Sequence, residues 1–407
     1  MKVKEAKYNS PTIDWMPEIP NHWKVIRIKN LFYEVDERSM TGREDLLSVS
    51  HYTGVTLRKE GFDDDVEITN ARTLVGYKIV DVGDLVINIM LAWNGSLGVS
   101  RFKGITSPAY CVFRLKENYN PEYFGYLFST ALFKGEFKKS STGIIDSRLR
   151  LYSDDFFRIF SFVPPKDEQD KIVKYIKENS AKIQHFIETK QRFIELLKEQ
   201  RQNITTNAVT KGIDKNVKLK SSGVSWLGDI PEHWEIRRLK TIVNLKSGET
   251  ITAELINETG DFPVYGGNGL RGYTNKFTND GDFVLIGRQG ALCGNINYAY
   301  NKFWASEHAV VVYPKVELDF FWLGETLRTM NLNQYSMAAA QPGLSVENIK
   351  ILKLPFPPLQ EQQEIVKQIK SETHTLNIAI DKAEREVELM EEYREAIINE
   401  VVTGKII

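Results

Sequence analysis

The chain has 407 residues, enough for two or three domains with sizeable cores. Its 53 basic and 54 acidic side chains nearly balance, which argues against a protein that coats nucleic acid by bulk charge alone. The 42% apolar content is typical of a soluble globular protein, and no apolar run approaches the length of a membrane span. The two cysteines, Cys111 and Cys293, cannot form a disulfide framework, which favours a reducing cytoplasm.

Residues 1–163 predict a first α/β globule. The run YKIVDVGDLVINIM is typical of short strands broken by glycine turns, and NPEYFGYLFSTALFKGEFKK reads as helical. Charge is balanced in this part of the chain, since residues 1–165 carry 22 basic and 21 acidic side chains. The globule therefore shows no basic excess as a whole.

Residues 164–213 predict a long helix. Pro164 and Pro165 precede the acidic Asp167 and Glu168, a combination that marks a helix start because acidic side chains favour the positive end of the helix dipole. Gly212 is a plausible stop. About 40 residues then form a helix about 60 Å long, at ~1.5 Å per residue, which cannot be hidden inside one small domain.

Residues 214–356 predict a second α/β globule, and residues 357–407 a second long helix. Read in steps of three and four, both helices carry an apolar stripe, which indicates a coiled coil. Its predicted seam consists of Ile176, Ile183, Ile187, Ile194, Leu197, Ile204, Ile369, Leu376, Ile380, Val387, Met390 and Ile397.

Charge suggests that the two helices pair with each other. Residues 166–215 carry 11 basic and 8 acidic side chains, whereas residues 359–407 carry 6 and 11. Because a globule separates the helices, the chain can return and pair them antiparallel. The open alternative is that each helix packs on its own globule.

The chain contains an internal repeat. DWMPEIPNHWKVIRIKNL at 14–31 recurs as SWLGDIPEHWEIRRLKTI at 225–242, with 7 of 18 positions identical. Residues 164–213 recur at 357–406 with 19 of 50 identical, whereas the stretches between match only in fragments. Two similar frames with dissimilar inserts suggest one scaffold that carries two different recognition surfaces.

Catalytic motifs are not found. The sequence has no Gly-x-x-x-x-Gly-Lys-Ser/Thr nucleotide loop and no histidine or cysteine cluster at zinc-site spacing. Asn120-Pro121-Glu122-Tyr123 only superficially matches the Asn-Pro-Pro-aromatic motif of amino-methyltransferases. We therefore expect neither a catalytic site nor a metal site in this chain.

Several polar side chains in glycine- and serine-containing loops suit contacts with base edges. Arginine pairs with guanine, and asparagine or glutamine with adenine. Each of these residues taken alone is at least as well explained as a solvated turn residue, so the clustering carries more weight. The candidates are Asn88, Trp93, Asn94, Ser96, Arg148 and Arg150 in the first globule, and Asn268, Arg271, Tyr273, Arg288, Gln289 and Gln341 in the second.

The repeated DWMPEIPNHW and SWLGDIPEHW segments, the PPKDEQDKI and PPLQEQQEI helix starts and the paired helices resemble the specificity subunit of type I restriction–modification enzymes. The resemblance covers the whole chain. It implies two α/β target-recognition domains, each reading one half of a bipartite DNA sequence, separated by two long helices. These helices would form an antiparallel coiled coil about a pseudo-twofold axis and set the gap between the half-sites.

The same resemblance implies the partners. Two methyltransferase subunits, which bind S-adenosylmethionine and methylate adenine N6, dock on the specificity subunit in this family, and restriction subunits that use ATP with magnesium join them. The chain itself would bind double-stranded DNA and no cofactor.

Two other classes of function stay open on the sequence alone. A coiled-coil scaffold could bridge two protein partners without reading DNA, and a self-contained enzyme could act without partners. Binding of a bipartite DNA duplex in the presence of the modification partner would distinguish a specificity subunit from a scaffold. Methyl transfer by the purified chain would establish a self-contained enzyme.

Overall fold

The computed structural model describes residues 8–9, 11, 13–51, 53–58, 73–116, 118–145, 148–290, 292–336 and 343–406. The chain divides into two compact units. Unit 1 comprises Met1–Thr189 with Glu386–Ile407, and unit 2 comprises Lys190–Arg385. Both divisions fall inside the long helices, so each unit holds one globule and a segment of each helix.

The first globule consists of short strands followed by three helices. Its strands are β1 Tyr8–Asn9, β2 Ile19–Pro20, β3 Lys24–Arg27, β4 Phe32–Val35, β5 Leu47–Ser50, β6 Gly54–Leu57, β7 Lys78–Val80, β8 Leu85–Asn88, β9 Leu97–Val99, β10 Gly104–Thr106, β11 Tyr110–Leu115 and β12 Phe160–Val163. Its helices are α1 Pro121–Ser129, α2 Ala131–Ser140 and α3 Ser153–Arg158. The first long helix, α4 Lys166–Lys211, follows β12 directly.

An antiparallel sheet in the order β4–β11–β8–β9 forms the centre of unit 1. Alternate side chains of its strands enter two different cores. Leu85, Ile87 and Phe113 join an aromatic cluster with α1, α2 and α3, whereas Val86 and Val112 pack with the hairpin β5–β6 on the other face. Strand β8 is buried on both faces, which explains the apolar run Leu85–Ile87 that precedes Asn88.

The second globule follows α4. Its strands are β13 Leu219–Ser221, β14 Asp229–Pro231, β15 Glu235–Arg238, β16 Val243–Ser247, β17 Phe262–Gly266, β18 Gly269–Thr274, β19 Asn279–Asp280, β20 Phe283–Gly287, β21 Ile296–Ala299, β22 Lys302–Ala305, β23 Ala309–Pro314 and β24 Lys353–Phe356. Its helices are α5 Leu239–Ile242, α6 Phe320–Thr329 and α7 Val346–Lys350. The second long helix is α8 Leu359–Val402.

Unit 2 repeats the central sheet of unit 1. Its order β16–β23–β20–β21 corresponds strand by strand to β4–β11–β8–β9, and both sheets are antiparallel. Val284 and Ile286 face the core that contains Trp322, whereas Leu285 and Val311 face the other side. On that second face, unit 2 carries a four-stranded sheet in the order β18–β17–β22–β19.

The repeated Pro-x-His-Trp segment binds the start of a long helix in each unit. In unit 1, Glu168 in the first turn of α4 accepts hydrogen bonds from Trp23 Nε1 at 3.0 Å and lies 2.8 Å from His22 Nε2. In unit 2, Glu361 of α8 lies 2.8 Å from His233 Nε2. The same contact between a histidine and a glutamate is thus made once in each unit.

The residue after that glutamate fixes the helix start to its globule. Gln169 is fully buried, donates from Nε2 to the Pro164 carbonyl and accepts from the Asn120 backbone N–H, both at 2.8 Å. Its counterpart Gln362 makes the equivalent two bonds at 2.9 Å. A buried amide needs such partners, and this explains why the repeat retains it.

The glycine after each long helix packs on the same repeated segment. Gly212 and Gly404 adopt positive φ values of 73° and 76°. A Cβ atom on Gly404 would lie 2.7 Å from the Pro20 side chain, and one on Gly212 would lie 3.2 Å from Trp234. Each Pro-x-His-Trp segment therefore contacts the start of one long helix and the end of the other.

The long helices pack against each other within each unit. In unit 1, Ile183 and Ile187 of α4 share a core with Val387 and Met390 of α8. Arg394 Nη1 donates to Gln184 Oε1 at 3.4 Å. Because the start of α4 and the glycine after α8 both contact the first Pro-x-His-Trp segment, the pair is antiparallel. The predicted fold class of two α/β domains and a paired-helix coiled coil is confirmed.

Unit 2 contains the counterpart of that polar contact. Arg201 Nη1 donates to Asn377 Oδ1 at 3.2 Å, and these residues occupy the repeat positions of Arg394 and Gln184. Lys198 and Glu384 form an ion pair at 2.7 Å close by. Its two side chains are about half exposed, so the pair contributes at most about 1 kcal/mol.

Every predicted seam residue is buried or half-buried. Ile176, Ile183, Ile187, Ile194, Ile369, Ile380 and Ile397 are buried, and Leu197, Ile204, Leu376, Val387 and Met390 are half-buried. Among the helices that the structure describes, none combines the length and hydropathy that crossing a membrane requires.

Candidate nucleic-acid interface

The connection from β8 to β9 holds four of the predicted base-contact residues. It closes through a hydrogen bond from Asn88 N to Ser96 O at 3.0 Å, and Asn88 Oδ1 accepts from Met90 N at 3.1 Å. Asn88 and Ser96 are only 5% and 2% exposed. Their side chains therefore shape the connection, and Asn94 in its short 3₁₀ turn is the exposed member of the set.

Trp93 is half-buried beneath helix α2. Its indole Nε1 donates to the Met90 carbonyl at 3.2 Å, and Lys138 Nζ lies 5.3 Å from the ring centroid. Gly95, at φ 87°, lies against the end of the Lys134 side chain of α2, which is 2.5 Å from the position a Cβ atom would take. The helix thus brings basic side chains to the edge of the β8–β9 connection.

Arg148 and Arg150 lie on a loop beside this connection. Thr142 and Arg150 exchange two backbone hydrogen bonds of 2.9 Å, and Leu151 N donates to Ile89 O at 2.9 Å. Arg148 is exposed, whereas Arg150 is half-buried and its Nη1 donates to the Leu149 carbonyl at 2.8 Å. The structure thus brings all six predicted residues of the first globule into one region of unit 1.

A local basic excess surrounds this region. Residues 131–150 carry five basic and two acidic side chains, although the globule as a whole is nearly neutral. Three of the basic residues, Lys134, Lys138 and Lys139, lie on α2 and were missed by the sequence prediction. Summing charge over the helix alone, KGEFKK, would have found them.

The connection from β20 to β21 is the counterpart in unit 2. It closes through Gly287 N to Asn295 O at 2.8 Å, the same bond that closes the β8–β9 connection. Arg288 Nη1 donates to Ser247 Oγ at 3.3 Å, and Gln289 Oε1 lies 2.9 Å from His308 Nδ1. Both predicted residues are therefore positioned by neighbouring polar groups.

The hairpin β17–β18 reaches the same connection. The ideal Cβ position of Gly267 lies 3.2 Å from the carbonyl oxygens of Gln289 and His308, so a larger residue there would require a shift of a few tenths of an ångström. Asn268 Oδ1 accepts from Asn295 Nδ2 at 3.3 Å. Asn268, Arg288 and Gln289 thus lie together, and His308 joins them although the sequence did not single it out.

The remaining predicted residues of the second globule are placed less centrally. Arg271 is exposed on β18, and its side chain lies along Gly266. Tyr273 is half-buried and exchanges backbone hydrogen bonds of 2.8 and 2.9 Å with Asn257. Gln341 lies outside the described residues.

The two candidate surfaces occupy equivalent places on equivalent sheets. Leu344 N donates to Arg288 O at 2.9 Å, as Leu151 N does to Ile89 O in unit 1. One scaffold therefore presents different side chains, namely asparagine and basic residues in unit 1 and Arg288, Gln289 and His308 in unit 2. Such groups form directional bonds with base edges.

Two titratable groups near the first surface, Cys111 and Tyr110, are held in their neutral forms. Burial raises the pKa of the Cys111 thiol, whose Sγ lies 3.3 Å from Ser153 Oγ. Burial also raises the pKa of Tyr110, which pairs with Asn88 across the sheet. A thiol with a raised pKa is a poor nucleophile. In the described part of the chain, no group of three or more His, Cys, Asp or Glu side chains is arranged to hold a metal ion.

Comparison with known proteins agrees with this architecture. A family described as the type I restriction modification DNA specificity domain matches residues 231–389. A type I restriction enzyme EcoprrI specificity subunit from Escherichia coli is 40% identical over 153 residues, which cover 37% of this chain and 38% of that relative. A type I restriction enzyme MjaVIII specificity subunit from Methanocaldococcus jannaschii is 24% identical over 428 residues, which cover 95% and 94%.

A solved structure shares the fold. A chain from a study of complex assembly and conformational transition of the type I R-M system superimposes with a TM-score of 0.68 and 15% identity, covering 95% of this chain and 99% of that one. Residues 231–389 match a type I restriction modification DNA specificity domain, and the chain is similar to type I restriction enzyme specificity subunits over almost its whole length. These findings agree with the family resemblance that the sequence indicated.

Proposed function

We propose that each unit reads one half of a bipartite DNA sequence and that the two half-sites differ. The observation that carries this proposal is the repeated connection after β8 and β20, which has the same closing hydrogen bond but different polar side chains in the two units. Different donor and acceptor sets select different base edges. The match of residues 231–389 to a type I restriction modification DNA specificity domain supports this function over a protein scaffold that does not read DNA.

The paired helices would set the gap between the half-sites. Helix α4 has 46 residues and α8 has 44, so each is about 65–70 Å long at ~1.5 Å per residue. Polar contacts such as Arg201 to Asn377 favour one register of the pair. A fixed register gives a fixed length, which is what a ruler requires.

We assign the chemistry to partner subunits. Two methyltransferase subunits would dock on this chain and supply S-adenosylmethionine, and restriction subunits would supply ATP and magnesium. The chain itself is proposed to be non-catalytic, to bind no cofactor and to work in the cytoplasm, where the DNA is modified.

Sequencing of N6-methyladenine in genomic DNA tests this function. Strains with the gene intact should carry one methylated bipartite motif with two unlike half-sites, and deletion of the gene should abolish that motif alone. An unchanged set of methylated motifs after deletion would contradict the proposal.

A further inference from the structure

His308 and Gln289 form a polar pair on the candidate surface of unit 2. Gln289 is exposed, and the side chain of His308 is 41% exposed. Gln289 Oε1 lies 2.9 Å from His308 Nδ1, and His308 Nε2 lies 3.1 Å from Glu307 Oε1. Because an amide oxygen only accepts hydrogen bonds, Nδ1 is the donor in the first contact. The imidazole thus holds the side-chain oxygen of Gln289.

Backbone contacts hold the two residues in place. Arg288 N donates to His308 O at 2.9 Å, and Arg288 O accepts from Leu344 N at 2.9 Å. Ala309 N donates to Ser306 O at 2.9 Å, which closes the short loop between β22 and β23. The pair is therefore fixed by the end of β20 and the start of β23 in addition to its own side-chain bond.

The bond to His308 decides which atoms of Gln289 a ligand can meet. A glutamine amide has an acceptor oxygen and a donor amino group, and it uses both in the paired contact with adenine N6 and N7. In Gln289 the oxygen is turned toward His308, and within the described residues this is the one side-chain hydrogen bond that the amide makes. Gln289 therefore presents its amino group alone. The preceding residue, Arg288, likewise carries only donors.

A surface of donors favours one base edge in the major groove. Guanine presents two acceptors and no donor there, whereas adenine and cytosine each present an amino donor. Thymine has one acceptor beside its methyl group. The turn of the hairpin β17–β18 lies against the Gln289 carbonyl, and the major groove, about 12 Å wide, admits a two-stranded ribbon of this kind.

We propose that Gln289 donates to a guanine in the half-site read by unit 2 and that His308 is the positioning residue that excludes adenine there, an inference that rests on the proposed function. His308 needs no contact with DNA for this role. It keeps the oxygen of Gln289 away from the base, so that only the amino group of Gln289 reaches the base edge.

Selection from duplexes with randomised half-sites tests the role of Gln289. The assay uses the full chain with its modification subunits, and sequencing of the bound duplexes gives the motif. Gln289→Ala should lose the guanine preference at one position of one half-site and bind the wild-type motif about fivefold more weakly, the factor for one net hydrogen bond. Gln289→Glu should prefer cytosine at that position, because it presents an acceptor to the cytosine amino group.

Variants of His308 separate positioning from a purely structural role. His308→Ala frees the oxygen of Gln289, so adenine should be accepted beside guanine at the same position. His308→Asn keeps a side-chain donor near the place of Nδ1 and should restore the exclusion of adenine. A structural role alone would instead weaken the binding of all sequences evenly and would not admit adenine.

Asn275→Ala is the matched control. Asn275 is an exposed amide that follows β18 at the end away from the hairpin turn. The variant should select the same motif as the wild-type chain, with the same affinity.

Three results would overturn the inference. One is a Gln289→Ala variant that keeps the wild-type motif unchanged. The second is a wild-type preference for any base other than guanine at the position that Gln289→Ala relaxes. The third is continued exclusion of adenine by His308→Ala. Failure of the wild-type complex to select any bipartite motif would refute the proposed function, which is a separate outcome.

Discussion

The polar residues at the candidate surface divide into those that shape it and those that face solvent. Asn88 and Ser96 are buried and hold the β8–β9 connection, whereas Asn94 and Arg148 are exposed. Residue type predicted the region but not this division, because a polar side chain in a glycine-containing loop can point either way. The folded loop decides it, since Asn88 Oδ1 accepts from Met90 N inside the connection while Asn94 and Arg148 are exposed.

Exposed basic residues near this surface should differ in what they contribute. Lys139→Ala should weaken binding to all sequences evenly and reduce the slope of log K against log salt by about 0.9, since one phosphate contact is lost. Arg148→Ala should relax one base position at a cost of about 1–3 kcal/mol. Titrations at several salt concentrations measure both effects.

Lys24→Ala is the control for these two variants, since it removes an equal charge from β3, where Lys24 pairs with Val163. It should leave both affinity and sequence preference unchanged. An equal loss for Lys24→Ala and Lys139→Ala would show that net charge, and not the surface described above, controls binding.

The two units also differ at one repeated glutamate. Glu168 accepts from Trp23 Nε1, but Trp234 Nε1 has no hydrogen-bond partner within the described residues. Glu168→Ala should therefore destabilise unit 1 by about 1–3 kcal/mol because it leaves a buried donor unpaired. Glu361→Ala removes the half-exposed His233 contact and should cost less than about 1 kcal/mol.

Hydrogen exchange resolved by peptide compares the two units within one chain. Faster exchange confined to unit 1 in Glu168→Ala, with little change in unit 2 of Glu361→Ala, is the expected result. Equal losses in both variants would contradict the assignment of the Trp23 bond.

At the scale of elements, the long helices were predicted from the sequence, the binding of the repeated segments to their ends was not, and the sheets were predicted only in part. The helices follow from a local apolar stripe, and the repeated Pro-x-His-Trp and Glu-Gln segments persist because they bind each other. The sheet β18–β17–β22–β19 combines antiparallel and parallel pairing, and β19 has only two residues. Such pairings depend on partners distant in sequence, which local patterns do not reveal.

The paired helices allow a test of their proposed ruler role. One heptad inserted into both α4 after Thr189 and α8 after Arg385 keeps the apolar seam in phase and adds about 10 Å. The gap in the methylated motif should then grow by about three base pairs, at ~3.4 Å per base pair. Methylation sequencing measures the gap directly.

A heptad inserted into α4 alone is the control for that experiment. It leaves α8 too short to pair along the whole seam, so the complex should assemble poorly and methylation should fall. An unchanged gap after the paired insertion would contradict the ruler role.

At the scale of the whole molecule, near-neutral total charge conceals unlike segments. Residues 1–165 and 216–358 are close to neutral, α4 is basic and α8 is acidic. The basic excess at 131–150 is local, so the chain alone should bind DNA weakly. We therefore expect tight binding to depend on the modification subunits, which fits a subunit that supplies specificity.

The central claim is that the two units read separate half-sites. Exchanging residues 243–356 for those of a relative, and sequencing N6-methyladenine in cells that carry the chimera, tests it most directly. We predict that one half-site changes while the other half-site and the gap stay as they were. A change in both half-sites, or in neither, would contradict independent recognition by the two units.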